Sequence, residues 1–287
     1  MIKLLALDLD GTVLDSQGRV PEANRLAIRA AEDAGVLVTI ATGRRFRDAR
    51  HVGQHLELNA PLVTHNGALL KFADSLETVE ASLLQTDIAL EIVRAGKKYG
   101  GDALVSADPH GNGTMIYDRV SHDNEPLQKY ILWAETMHGN EAEEAVHHVS
   151  SLEDALPDHQ VIHISFSGGC DAMAKLEALL RTELGDTVTL LATVYPKLDF
   201  TLLDILPSHA SKGIGVQKLA ERHGIGHEGV MAIGDNFNDL EMLEYAGTPV
   251  VMGNADRQLL ERKGVHRTAD NNNAGVAEAI RKFILEQ

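Results

Sequence analysis

The sequence predicts an α/β fold, a doubly wound parallel sheet interrupted by an inserted α+β domain. Three observations predict it. Both ends of the chain alternate short apolar runs with segments of helical periodicity, the pattern of a parallel sheet with helices on both faces. The middle sets several strand-like runs side by side without intervening helices, the pattern of an antiparallel α+β domain. Three apolar runs are followed by acidic or hydroxyl residues, Asp8/Asp10, Thr42 and Asp235/Asp239. Ligands bind at the carboxyl ends of strands in open parallel sheets. The expected boundaries are 1–81 with 198–287 for the outer domain and 82–197 for the insert.

The first run, Ile2 to Leu9, is mostly apolar and ends at Gly11, so it reads as a buried strand. If that strand held to its end, Asp8 and Asp10 would share one side. A helix is expected over 20–35, with Pro21 at its start and Gly35 after its last turn. Val36 to Ala41 is a buried strand, a helix follows over about 45–56, and Pro61 to Thr64 is a third strand ended by the turn His65-Asn66-Gly67. In the insert we expect helices at 86–98, 125–138, 151–156 and 171–184. Its strands are expected near 102–106, 113–118, 144–149, 160–166 and 187–194. The α/β rhythm resumes after Pro196 with strand 198–205. Ser211 is placed to cap helix 212–223, and Gly224 ends it. Strand 229–234, helix 240–246, strand 249–253, helix 255–263, strand 265–268 and helix 275–285 complete the chain.

A chain of 287 residues can bury a sizeable core. Hydrophobic content of 44% and charged content of 24% are ordinary for a globular protein. The net charge of −16 repels nucleic acid and anionic membranes, and a phosphorylated ligand would need local positive charge. One cysteine, Cys170, permits no intramolecular disulfide, which fits a reducing compartment. The N-terminus lacks a signal-peptide pattern and no window resembles a membrane span. A cytoplasmic enzyme is expected, without nucleic-acid or membrane partners; the oligomeric state is not encoded legibly.

The carboxylates at the strand ends suit a hard divalent cation such as Mg²⁺, which takes one or two carboxylates plus water and phosphate oxygens. Thr42 offers a hydroxyl, and the backbone N–H groups of Gly43 and Arg44 are read as opening a helix that binds phosphate. Lys212, in the first turn of another helix, supplies a point positive charge.

Four segments, DLDGT at 8–12, ATGR at 41–44, SKG at 211–213 and GDNFND at 234–239, resemble in order and spacing the four motifs of the haloacid dehalogenase superfamily. The HNGA turn at 65–68 and the long insert resemble its Cof-type, class IIB, branch. The resemblance implies a Rossmann-like core with an inserted cap and a Mg²⁺-dependent phosphatase acting on small phosphorylated metabolites, such as sugar or nucleotide-related phosphates. It implies that Asp8 attacks phosphorus to form an aspartyl-phosphate and that Asp10 is the general acid and base. It places the metal on Asp8, the Asp10 carbonyl and Asp235, and the phosphate on Thr42, Gly43, Lys212 and Asn238, with Asp239 in support. A phosphotransferase or mutase would share Asp8 and Asp10; a non-catalytic sensor would not need them.

Other residues stay open. Arg44 and Arg45 divide between surface charge and a site role. Asn66 shapes its turn but lies near the third strand end. The loop His110 to Thr114 reads as a hairpin turn or a specificity loop. His147, His148 and His163 lack a ligand-set spacing and are read as surface or core residues, and Trp133 as insert core.

Overall fold

The computed structural model describes residues 1–286, which form two compact units. One comprises Met1–Glu80 and the chain from Ser211 onward; the other is Ala81–Ala210. The chain enters the first unit with β1 (Leu4–Leu7), α1 (Glu22–Asp33), β2 (Leu37–Ile40), α2 (Phe46–Leu56), β3 (Leu62–Thr64), β4 (Leu69–Lys71) and β5 (Thr78–Ala81). The second unit holds α3 (Thr86–Lys98), β6 (Asp102–Ala107), β7 (Thr114–Tyr117), α4 (Glu125–His138) and α5 (Ala142–Ala145). It continues with β8 (Val146–His148), α6 (Leu152–Ala155), β9 (Val161–Gly168), α7 (Cys170–Leu184), β10 (Val188–Tyr195) and β11 (Phe200–Pro207). The first unit then resumes with α8 (Lys212–Arg222), β12 (Val230–Gly234), α9 (Leu240–Tyr245), β13 (Thr248–Val251), α10 (Arg257–Leu260), β14 (His266–Arg267) and α11 (Gly275–Ile280).

The first unit is built on a parallel sheet of order β14-β13-β12-β1-β2. All four residues of β1 are buried, which is why its sequence is unbroken apolar rather than alternating. Leu4 and Ala6 pack with Val216 and Leu219 of α8 and Met242 of α9. α1 packs on α11. The register sets Leu7 opposite both Ile40 and Ile233, so β1, β2 and β12 end within one residue of one another. The residues that follow them, Asp8, Ala41-Thr42 and Asp235, therefore emerge side by side. β3 joins beside β2 through a parallel bridge between Ala41 and Val63. β4 and β5 extend β3 into a small separate sheet that the sequence reading did not foresee, because Leu69–Lys71 is too short a run to carry a strand pattern. The helix expected over 255–263 is reduced to the single turn of α10.

The second unit is a six-stranded sheet of order β10-β11-β9-β6-β7-β8, antiparallel except for β7 and β8. β11 pairs with β10 along its whole length and with β9 on its other side, so it cannot leave this sheet. The second boundary thus lies after Ala210 rather than at 197/198, where the sequence reading put it. One sheet face, with Ile164, Phe166, Leu203 and Ile205, packs with α3 and α7 into an apolar core. The other carries Leu104 and Met115, covered by Leu127 and Ile131 of α4. Trp133, expected inside, stacks on Tyr130 at 5.8 Å with 38% of its surface exposed.

His163, Ser165 and Asp204 form a polar cluster where β9 and β11 pair. His163 Nε2 lies 3.0 Å from Ser165 Oγ, and Ser165 donates to Asp204. Burial pushes the Asp204 carboxyl up to about 6, against the Ser165 bond that favours its charged form. The folded chain therefore holds this proton more tightly than the unfolded chain. The cost is absent below about pH 4 and complete above about pH 6. A rise from 3.8 to about 6 corresponds to about 3 kcal/mol at most. Asp204→Asn is expected to raise the melting temperature at pH 8 and leave it nearly unchanged at pH 4. Equal effects at both pH values in a thermal-melt series would refute this.

Candidate active site

The three strand ends bring Asp8, Thr42 and Asp235 together, and α8 adds Lys212. Lys212 is the first helical residue after the cap Ser211, whose hydroxyl accepts from Ile214 N–H at 3.1 Å. Its ammonium is buried, 2% exposed, and donates to Asp8 Oδ1 at 2.6 Å and to Asp239 Oδ1 at 2.7 Å. Burial works against that charge, but Asp8 and Asp239 outweigh it and raise the lysine above its ordinary range. Asp239 spends its other oxygen on the backbone N–H groups of Asp235 and Asn236, both at 3.0 Å. It closes the turn after β12 and holds Lys212 in place.

Asp8 is 4% exposed. Burial, then the charge of Asp239, pushes its carboxyl well up, while Lys212 pulls it down. Asp235 is also raised, chiefly by burial, although Thr12 donates to its Oδ1 at 2.8 Å. Gly11 lies against Asp235 with φ +83°, and a methyl group there would lie 2.5 Å from Asp235 Oδ2. Only glycine fits both that backbone conformation and that contact.

Asp8, Asp235 and Asp239 each place one oxygen within 4.8 Å of the others. Three carboxylates around one ammonium leave a deficit of positive charge, which suits a hard cation. Asp239 has both oxygens committed, one to Lys212 and one to the backbone. Asp8 and Asp235 each keep one oxygen outside those bonds. The donor set therefore fits a divalent ion held by Asp8 and Asp235, with Asp239 orienting the lysine.

The expectation that Asp8 and Asp10 share one side does not hold, because β1 ends at Leu7 and both lie in the turn beyond it. Asp10 is exposed and pairs with Arg44, whose Nε donates to it at 2.8 Å. Arg44 is thus the ion-pair partner of Asp10. Arg45 instead pairs with Asp48 within α2.

The loop from Thr42 to Arg44 differs from the expected helix start. α2 begins at Phe46, two residues later. The Arg44 N–H donates to Thr42 Oγ1 at 3.1 Å, and the Phe46 N–H donates to His65 Nε2 at 3.1 Å. Of the two donors expected for phosphate, Gly43 N–H remains. The turn at His65, Asn66 and Gly67 has positive φ at all three positions. It braces the loop through His65 N–H to Arg44 O at 2.9 Å and Asn66 N–H to Thr42 O at 3.0 Å. A methyl group on Gly67 would lie 1.9 Å from the Ser211 carbonyl oxygen, so the same turn abuts the start of α8. Asn238 is exposed in the turn after β12.

Sequence reasoning missed Thr12, His65 and Asn254. Asn254 donates to Gly11 O at 2.8 Å and its own oxygen accepts from Asn271 N–H, fixing the turn that bears Asp10. Thr12 carried a signal, since it lies inside the DLDGT segment; Asn254 carried none.

The model of the haloacid dehalogenase-like hydrolase family matches residues 5–280. The chain belongs to that family. A 5-amino-6-(5-phospho-D-ribitylamino)uracil phosphatase of Bacillus subtilis is 31% identical over 296 residues, covering 100% of this chain and 99% of the relative. An HMP-PP phosphatase of Cronobacter sakazakii is 32% identical over 260 residues, covering 91% and 87%. Among solved structures, a subclass IIB sugar phosphatase superposes with a TM-score of 0.76 at 22% identity, covering 98% of each chain, which bears out the fold. Among the described residues, no helix of this hydrolase is long and apolar enough to cross a membrane.

In this hydrolase, removing Lys212 strands two buried carboxylates. Lys212→Met is expected to cost roughly 3–5 kcal/mol, or about 10 °C in melting temperature at pH 7.5. The loss should shrink at pH 5, because a carboxyl whose proton is held tightly when folded destabilises only as pH rises. Melts of both proteins at the two pH values decide it, and an unchanged midpoint at pH 7.5 would rule the bridging role out.

Proposed function

We propose that this chain is a Mg²⁺-dependent phosphomonoesterase acting on small phosphorylated metabolites. The observation that carries this reading is the buried Lys212 clamped between Asp8 and Asp239, with Asp8 and Asp235 facing a deficit of positive charge. Such a pocket has what phosphoryl transfer needs, a positioned nucleophile and neutralising charge. The two phosphatase relatives are named for different compounds, which supports the class of substrate rather than one metabolite. The specificity role expected of the insert belongs to the same proposal, as does a reducing, cytoplasmic setting, which free Cys170 supports.

Asp8 carries out the attack. Its carboxylate oxygen forms a bond to phosphorus as the bond to the leaving alcohol breaks, giving an aspartyl-phosphate. Lys212 holds the attacking carboxylate in place and neutralises it. Thr42 Oγ and Gly43 N–H steady the phosphoryl oxygens, joined by Asn238 from the turn after β12. Asp10, entering the step protonated and turned away from Arg44, gives its proton to the departing alkoxide and then, as a carboxylate, takes one from the water that hydrolyses the intermediate. Mg²⁺ bound to Asp8, the Asp10 carbonyl and Asp235 would screen the repulsion between nucleophile and phosphate.

The expected outcome is phosphate release from a panel of phosphorylated metabolites, abolished by chelation and restored by Mg²⁺. Asp8→Asn should lower kcat/KM by about 10³-fold or more. Substrate loss without matching free phosphate would favour the phosphotransferase, and tight binding without turnover the sensor.

A further inference from the structure

One polar group beside the Thr42–Arg44 loop is left unsatisfied. Asn66 is 5% exposed, and its Oδ1 is buried without a hydrogen-bond donor. A buried acceptor of this kind is costly, and strain, a catalytic role, a water, an ion or a bound molecule accounts for it. The backbone of Asn66 accounts for an asparagine in this turn but not for its unpaired side-chain oxygen. Its N–H is already used on Thr42 O, and its left-handed conformation, φ 50° and ψ 40°, is one that glycine would adopt more readily. The carboxamide lies against Gly43. A methyl group on Gly43 would stand 3.0 Å from Asn66 Oδ1 and 3.1 Å from its Nδ2. Gly43 and Asn66 are therefore matched, a residue without a side chain facing an amide whose oxygen is without a partner.

A phosphoryl dianion offers only acceptors, so it cannot satisfy an acceptor oxygen. The leaving alcohol can, if it carries a hydroxyl. We infer that Asn66 Oδ1 accepts a hydrogen bond from a hydroxyl of the substrate's leaving alcohol. Asn66 is then a specificity residue that selects polyol and sugar monophosphates over esters of plain alcohols. This inference rests on the phosphatase reading.

The test compares glycerol 3-phosphate with propyl phosphate, which differ in their hydroxyls, and uses p-nitrophenyl phosphate as a hydroxyl-free measure of the chemistry. Asn66→Gly keeps the turn and removes the amide; Asn66→Asp keeps an acceptor oxygen. The wild type should prefer glycerol 3-phosphate. Asn66→Gly should lose about tenfold in kcat/KM on glycerol 3-phosphate and less than about twofold on the other two, the size of one hydrogen bond. Asn66→Asp, whose added charge acts on all three esters alike, should keep the wild-type ratio between them. A uniform loss in Asn66→Gly would mean a structural role or a fixed water and overturns the inference, as does no loss at all. A wild type that cleaves the aryl ester but gains nothing from hydroxyls overturns it while leaving the phosphatase reading intact. If the wild type cleaves none of the three, the phosphatase reading falls and the inference falls with it.

Discussion

The buried ammonium of Lys212 is the interaction on which the first unit's site depends. Asp8 follows β1, Asp239 lies in the turn after β12, and Lys212 opens α8, so one cation ties three distant segments together. Without it, two carboxylates with at most 5% of their side chains exposed would face each other unpaired. Its presence still leaves the cluster short of positive charge once Asp235 is counted. That imbalance is kept by the fold itself, because Asp239 is locked by two backbone N–H groups and Asp235 by Thr12. A fixed excess of negative charge in a buried pocket is costly for an empty protein and useful to one that takes up a cation.

The second constraint is the left-handed turn at His65 to Gly67. Three successive positive φ values are strained for the two residues that are not glycine, although His and Asn tolerate that region better than most. The strain is held by bonds on both sides. The turn accepts Phe46 N–H, donates to Thr42 and Arg44, and presses Gly67 against Ser211. The loop bearing Thr42 and the helix bearing Lys212 are thereby set by one small element. A shift of the turn would move the hydroxyl and the ammonium together.

Much of this was legible in the sequence for a physical reason. Parallel strands are buried on both faces, so β1, β2 and β12 wrote themselves as apolar runs, and the residues just beyond them were easy to single out. The helices over 86–98 and 125–138 and the cap at Ser211 were likewise encoded locally. What was illegible is what depends on pairing across distance. β11 looks like any apolar strand until its partners β9 and β10 are known, and so the boundary near 210 was placed too early. Asp10 and Asp8 are two residues apart, yet one is exposed and one buried, because the strand ends before either. The Arg44 N–H looked available because nothing in the sequence announces that the loop folds it back onto Thr42 Oγ1, or that α2 starts later, at Phe46, whose N–H goes to His65.

Charge arrangement also separates the surroundings of the two aspartates of the first turn. Asp8 is buried and locked to Lys212, with burial and the charge of Asp239 pushing its carboxyl up. Asp10 sits in the open on Arg44, itself held in a loop braced by the 65–67 turn. A nucleophile needs a fixed aim and a low-dielectric surrounding, whereas a group that exchanges protons with an alcohol and then with water needs access. The turn after β1 thus sets one carboxylate in a buried place on Lys212 and the other in the open on Arg44, the environments that the proposed nucleophile and the proposed acid–base group need, and Gly11, which follows both, makes room for Asp235.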